Sequence, residues 1–194
     1  NQVVATIPIV QKGYFLPLAA GEGRVWAAAC LDKVVKVIDP ATNQVTDSVP
    51  VDSCWNVAIG GGQVWVPTGE RTVTRIDPTT LTAMPTVFVQ SGPALIIAGF
   101  DSMWVANVNA MTVSRFDPQT REVTATLLTG LDRVKHNLHG LAAGEGHLWV
   151  ASTGGIQGFD PASNLVSRYF STVADPARLA VAGGSLWVTT ADAG

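Results

Sequence analysis

A tryptophan recurs along this chain at a spacing that few folds accommodate. Trp26, Trp65, Trp104, Trp149 and Trp187 are separated by 39, 39, 45 and 38 residues. Each sits in one phrase, reading in turn GEGRVWAAA, GGGQVWVPT, GFDSMWVAN, GEGHLWVAS and AGGSLWVTT. After four of the five, a second phrase follows: VKVIDPATN, VTRIDPTTL, VSRFDPQTR and IQGFDPASN. Self-similarity with a period of roughly 20 to 50 residues marks an array of stacked units, each too small to bury its own apolar face.

Within one period, short β-branched and aliphatic runs are bounded by Gly, Pro, Asp or Asn, and no window has a 3.6-residue rhythm. The spacing predicts four strands and no helix. In the first complete unit these are strand A at 17–20, strand B at 24–29, strand C at 34–38 and strand D at 44–49. The glycines around Glu22 suit an A–B hairpin. Asp39-Pro40 opens the C–D turn, where Asp accepts a local backbone hydrogen bond and Pro presets φ. Strand B is apolar on both faces (Val25, Trp26, Ala27, Ala28), as a sheet covered on each side must be. Helical repeats lack these strands, and a leucine-rich repeat is shorter. The fold class expected is all-β, a β-propeller of four-stranded antiparallel blades with about five blades present. Each repeated tryptophan is expected to span the wedge to a neighbouring blade.

The chain of 194 residues reads as a single domain. It comprises 1–9 as strand D of a split blade, blades at 14–51, 54–90, 93–129 and 138–172, and strands A and B of a last blade at 176–194. The opening NQVVATIPI aligns with NQVTDSVPV at 43–51, whereas SLWVTTADAG finishes a strand B. A ring closed on these ends needs one more strand C, with or without whole blades. The edge at 180–190 is then expected to be unpaired and able to self-associate.

At 47% hydrophobic and 14% charged, the chain has ample core material. A net charge of -3 with scattered basic residues disfavours nucleic acid. No run of apolar residues is long enough to span a membrane as a helix. No nucleophile elbow, phosphate-binding glycine loop or HExxH occurs.

The combination of GxGxxWV with VxRIDPxT and NxVxxxIP resembles the bacterial YVTN/YncE-like and virginiamycin B lyase-like propeller repeats. The resemblance covers essentially the whole chain and implies a seven-bladed ring, of which this chain is about two thirds. The lyase branch implies catalytic His and Glu near a metal, with a strand B of the form Trp-Phe-Thr-Glu. Here those positions read Trp149-Val150-Ala151-Ser152 and Trp187-Val188-Thr189-Thr190, so no catalytic residue, metal or cofactor is carried over. Low Lys with abundant Ala, Val, Thr and Gly resembles exported bacterial propellers, so the chain is expected to be secreted or periplasmic.

Candidate binding residues are those that break the repeat. Four-stranded blades place the D–A and B–C connections at one end of the ring and the regular turns at the other. The longest interval is lengthened in TGLDRVKHNLHG, a D–A connection carrying Asp132, Arg133, Lys135, His136 and His139. Loops that gain polar residues on a rigid scaffold are site candidates, and they are equally where plain insertions are tolerated. Trp55, beside Asn56, lies outside the repeated position and is either a stacking platform for a sugar or ring, or packing over the channel mouth. Arg178 stands in the first strand of the last blade, where the others are read as having Leu18, Val57, Leu95 and Leu141; its charge needs a partner or water, with Asp175 nearest. His136 and His139 without a spaced carboxylate make a weak metal pair. Asp39, Asp77, Asp117 and Asp160 are read as turn caps, and His147 as a surface residue. Cys30 and Cys54 reach the candidate face on adjacent blades, as a disulfide or as two free thiols. The function expected is non-enzymatic binding of a small molecule, glycan or protein; the rival is a metal-assisted lyase or hydrolase with His136 or His139 as base.

Overall fold

The computed structural model describes residues 2–9, 16–131, 137–172 and 174–190. Four four-stranded sheets and one two-stranded sheet follow one another along the chain. Blade 1 is β1 (Leu18–Gly21), β2 (Arg24–Ala29), β3 (Val34–Asp39) and β4 (Gln44–Pro50). Blade 2 is β5 (Ala58–Gly60), β6 (Gln63–Thr68), β7 (Thr72–Ile76) and β8 (Ala83–Phe88). Blade 3 is β9 (Pro93–Gly99), β10 (Ser102–Asn107), β11 (Thr112–Phe116) and β12 (Val123–Leu128). Blade 4 is β13 (Leu138–Gly144), β14 (His147–Ser152), β15 (Gly155–Asp160) and β16 (Leu165–Ser171). Blade 5 consists of β17 (Pro176–Ala182) and β18 (Ser185–Thr190). Each strand pairs antiparallel with its chain neighbour, so every sheet is a meander. This is a β-propeller arrangement.

Three details depart from expectation. One 3-10 turn, Cys30–Asp32, follows β2 where no helical turn was predicted. The segment 2–9 is assigned no strand, although it was read as a strand D. A strand D pairs with a strand C, and blade 5 has only its first two strands among the described residues. The fifth tryptophan also differs from the other four: Trp26, Trp65, Trp104 and Trp149 are buried, but Trp187 is 64% exposed.

That exception shows what buries the others. Trp26, Val35 and Val37 of blade 1 pack on Val57, Val64 and Val66 of the next blade and its approach. Trp65 and Val73 meet Ile96, Met103 and Phe116, with the Trp65 and Phe116 rings edge-on at 5.0 Å. Trp104 and Val113 meet Leu141, Leu148 and Phe159. Trp149 and Ile156 meet Leu179, Val181 and Leu186. Each apolar cluster is thus a seam between consecutive blades, and Trp187 has no following blade among the described residues. Phe170 repeats the point. It holds the register of Val49, Val87 and Leu127, all buried, yet is 48% exposed, and no described residue beyond β18 covers it.

The indole ring is also fixed within its own hairpin. The N–H donates to the carbonyl five residues earlier, from Trp26 to Gly21 at 3.2 Å, Trp65 to Gly60 at 2.9 Å, Trp104 to Gly99 at 2.8 Å and Trp149 to Gly144 at 3.0 Å. Trp187 makes the same bond to Ala182 at 3.1 Å. Such a bond satisfies the one polar atom of a side chain that is otherwise buried in apolar surroundings. Glycine at the acceptor position lets the next blade approach. A Cβ there would run into Ile59 from Gly21, Met103 from Gly60, Ala143 from Gly99 and Val181 from Gly144. Ala182 stands where no described blade follows. Guanidinium groups close two seams: Arg24 Nη1 donates to Pro78 O at 2.9 Å, and Arg115, stacked over Trp104, donates to Pro161 O at 2.6 Å.

All five A–B hairpins turn through two residues of positive φ, the type I′ geometry that matches strand twist. The second of these is Gly23, Gly62, Gly146 or Gly184, but Asp101 in blade 3, at φ 54°. An L side chain carries a steric cost in that region which glycine escapes. Asp101→Gly is therefore expected to raise stability by up to about 1 kcal/mol, read as a higher denaturant midpoint with unchanged m-value. A fall in the midpoint would show that the aspartate side chain contributes more than its backbone strain costs.

Candidate functional site

The Asp-Pro turns are structural. Asp39 Oδ1 accepts from Ala41 N at 2.8 Å, Asp77 Oδ1 from Thr79 N at 2.8 Å and Thr80 N at 2.9 Å, Asp117 Oδ1 from Gln119 N at 2.6 Å, and Asp160 Oδ1 from Ala162 N at 2.8 Å. These N–H donors hold three carboxyls below their ordinary value of 3.8: chiefly Ala41 for Asp39, Thr80 for Asp77 and Ala162 for Asp160. The contribution to stability follows the sign of that shift. It is fully present above pH 3.8 and is lost as pH falls through the lower folded-state values. Carboxyl carbon NMR titration should give midpoints below 3.8 for these three residues; midpoints at or above it would remove the capping account.

A cleft of about 610 Å³ opens at this same end, between blades 2 and 3, lined by Gly60, Gly61, Phe100, Met103 and Pro118. Two of its polar side chains hold the turns: Gln119 Nε2 donates to Gly61 O at 3.1 Å, and Asp117 caps its own loop. Size alone does not make it a site.

At the opposite end, the D–A and B–C connections gather the residues that break the repeat. His139 enters β13 as the extra residue of a β-bulge, because Leu138 pairs with Ser152 while Gly140 pairs with Ala151. Bulges re-aim a side chain. His139 Nε2 lies 3.2 Å from Thr153 Oγ1, which accepts from Asn137 N at 3.2 Å. Arg178 Nη1 donates to His139 O at 3.0 Å, so blades 4 and 5 meet in this knot. Asp175, expected beside Arg178, accepts from Gly154 N at 3.2 Å. Arg178 also corrects the register. It pairs with Thr189, the position of Gly140 opposite Ala151 and Leu95 opposite Ala106. Leu179, opposite Val188, is the residue that matches Leu18 and Leu141. The offset is plain in the spacing: Arg178 and Leu95 stand nine residues before their tryptophans, whereas Leu18, Val57 and Leu141 stand eight before theirs. Asp132, Arg133, Lys135 and His136 lie outside the described residues.

Trp55 and Asn56 are on the connection into blade 2, two blades from that knot. Trp55 is 60% exposed. Its segment is pinned three ways. Ser53 Oγ accepts from Gly69 N at 2.8 Å, Asn56 Oδ1 from Val57 N at 2.7 Å, and Cys54 is disulfide-bonded to Cys30 with Cα atoms 4.9 Å apart. The two cysteines thus form a disulfide, and no free thiol is found among the described residues.

In blades 2, 3 and 4 the position held by Glu in the lyase-like strand B is occupied by a buried polar residue bonded inside its own blade; in blade 1 it is Ala29 and in blade 5 the exposed Thr190. Thr68 Oγ1 lies 2.7 Å from Thr74 Oγ1, and Ser152 Oγ donates to Gly155 O at 3.3 Å. Asn107 bonds to the Thr112 and Ser114 hydroxyls. Among the described residues, no three His, Cys, Asp or Glu side chains gather where they would hold a metal. None of their helices is long and apolar enough to cross a membrane. Sequence reasoning missed Thr153; it lies on a B–C turn, the kind of connection that reaches this end, but a lone Thr in a Gly-rich turn has no distinguishing pattern. Leu31, 76% exposed beside Cys30, was also missed.

No protein-family model matches the chain, and no curated protein matches it. Solved structures do. The hydrazine synthase of Kuenenia stuttgartiensis aligns with a TM-score of 0.73 and 16% identity, over 89% of this chain and 55% of that one. The extracellular domain of the putative one component system BT4673 from B. thetaiotaomicron aligns with a TM-score of 0.69 and 16% identity, over 82% of this chain and 24% of that one. The chain therefore spans about half or less of these neighbours. At such identity the likeness is one of fold, and fold does not carry function.

Proposed function

We propose that this chain is a binding or scaffold propeller that recognises a small molecule, glycan or protein through the D–A and B–C end of its blades, without turnover. The observation that carries this reading is Trp55, an indole left 60% exposed on a connection pinned by a disulfide. A rigid exposed aromatic costs little entropy to use and offers a face for stacking. The knot of His139, Thr153 and Arg178 supplies hydrogen-bonding groups at the same end. The disulfide fits export to an oxidising compartment, so we place the protein outside the cytoplasm, secreted or periplasmic.

The test is a binding screen with product analysis on the intact chain. Ligand bound and recovered unchanged, with affinity lost by more than about tenfold in Trp55→Ala, is the expected result. Stoichiometric divalent metal that is lost in His139→Ala, together with product formation, would favour a metal-assisted lyase or hydrolase of the virginiamycin B lyase-like kind instead.

A further inference from the structure

Blade 5 presents an open edge. β17 and β18 form a two-stranded sheet, and among the described residues nothing pairs with the outer side of β18. The two-residue turn Gly183-Gly184 makes Ala182 and Ser185 a hydrogen-bonded pair, so the backbone N–H and C=O of Leu186 and Val188 point away from β17. In the complete blades the residues at the place of Leu186 face a strand C: Val25 opposite Ile38, Val64 opposite Ile76, Met103 opposite Phe116 and Leu148 opposite Phe159. Three of those strand C residues also close a seam. Ile76, Phe116 and Phe159 share an apolar cluster with Trp26, Trp65 and Trp104, respectively, of the blade before. The corresponding surface of blade 4 is only part covered. Phe170 pairs with Ile156, and its ring lies 6.0 Å from that of Trp149. Trp149 and Ile156 pack under Leu179, Val181 and Leu186, but Phe170, on the same face, is 48% exposed. The established seam and the established ladder therefore both continue to one place, which fits a further strand with an apolar side chain opposite Leu186.

A described stretch of the chain has the chemistry of that strand. Residues 2–9, QVVATIPI, belong to no sheet, carry no charge and are rich in β-branched side chains. Val3 and Val4 are 82% and 89% exposed. Pro8 lacks an N–H, which a strand tolerates where that side of its backbone faces away from the ladder, as on the far side of an added outer strand. Within one copy this segment does not pair with β18, so the strand it supplies goes to another copy. Pairing β18 with the same strand of a second copy across a two-fold axis would place that copy's blade 4 on the side where β15 and β16 already extend past β18.

We propose that residues 2–9 of one copy add as a third, antiparallel strand to β18 of the next copy, covering Phe170 and joining copies head to tail. Backbone hydrogen bonds along β18 supply affinity, and the apolar side chains laid over Phe170 and Trp149 set the register. The contact is heterologous, because the segment and the edge are different surfaces of each copy. Such contacts grow beyond two chains or close into a ring.

The experiment is sedimentation of the full chain over a concentration series, with circular dichroism melts alongside. Val3→Pro/Val4→Pro blocks the segment in either register, since adjacent residues point their N–H groups to opposite sides of a strand. Val188→Pro removes an outward N–H from the edge and leaves the ladder to β17 intact. Phe170→Lys blocks the same edge at a half-exposed side chain and replaces Val188→Pro if that variant fails to fold. The wild type is expected to gain mass with concentration, and each variant alone to stay at the mass of one chain, its self-association weakened by more than about tenfold. An equimolar mixture of the segment-blocked and edge-blocked variants should give a species of two chains and nothing larger, because only one intact segment and one intact edge remain to meet. A wild type that keeps the mass of one chain at every concentration overturns the proposal. So does association that survives in either variant alone, or a mixture in which the two folded variants do not pair.

Discussion

Replacing Trp104 by alanine is expected to cost about 3–5 kcal/mol of stability, whereas the same replacement at Trp187 should cost less than about 1 kcal/mol. The two residues stand in the same phrase and make the same indole bond to the residue five positions earlier, at 2.8 and 3.1 Å. They differ in what lies across the seam. Trp104 is fully buried against Leu141, Leu148 and Val150 and is capped by Arg115, 4.8 Å from its ring centre. Its removal leaves a cavity that the rigid hairpins on both sides cannot close. Trp187 is 64% exposed, and truncation mostly replaces hydrated surface with hydrated surface. Chemical denaturation of both variants is the measurement. Equal losses would mean that the indole stabilises through its own hairpin and not through the neighbouring blade.

Breaking the Cys30–Cys54 bond is the second large effect. The disulfide spans 24 positions of sequence and crosses from blade 1 to the entrance of blade 2. Closing a loop of that length restricts the unfolded chain by an entropy worth about 3.5 kcal/mol at room temperature. Cys54→Ala is expected to lower stability by about that amount. Because Cys54 is also buried in the seam with Val57 and Trp26, alanine further leaves a small void there. Equilibrium unfolding with and without reductant separates the two contributions. The wild type should lose stability in reductant, and the variant should not. A wild type unmoved by reductant would mean that the bond is not formed in solution or does not constrain the unfolded state.

Much of the blade was legible because blades are built from local rules. The A–B hairpins follow from glycine and other residues that accept positive φ, and the C–D turns from a carboxylate that bonds the N–H groups two and three residues on. The candidate site was legible in part. Trp55 was singled out because it breaks the repeat, and its exposure keeps it as a candidate. Arg178 was aligned with Leu18, Val57 and Leu141, which stand eight residues before their tryptophans, although it stands nine before Trp187 and so pairs one position further along strand B, with Thr189. Asp175 was singled out as the charge nearest Arg178 in sequence; its bond from Gly154 N leaves no signal in the repeat pattern.

The sequence by itself determined the period, the four-strand unit, its turns and the order of the blades, since each depends on residues within about one strand of each other. Only the tertiary structure decided which tryptophans are buried and that Cys30 meets Cys54. Those properties belong to pairs of residues on different blades. The five tryptophan phrases are nearly alike, so nothing within a phrase can report whether a neighbour covers it. Burial at a seam is a relation between two sheets, and it exists only where the second sheet is stacked against the first.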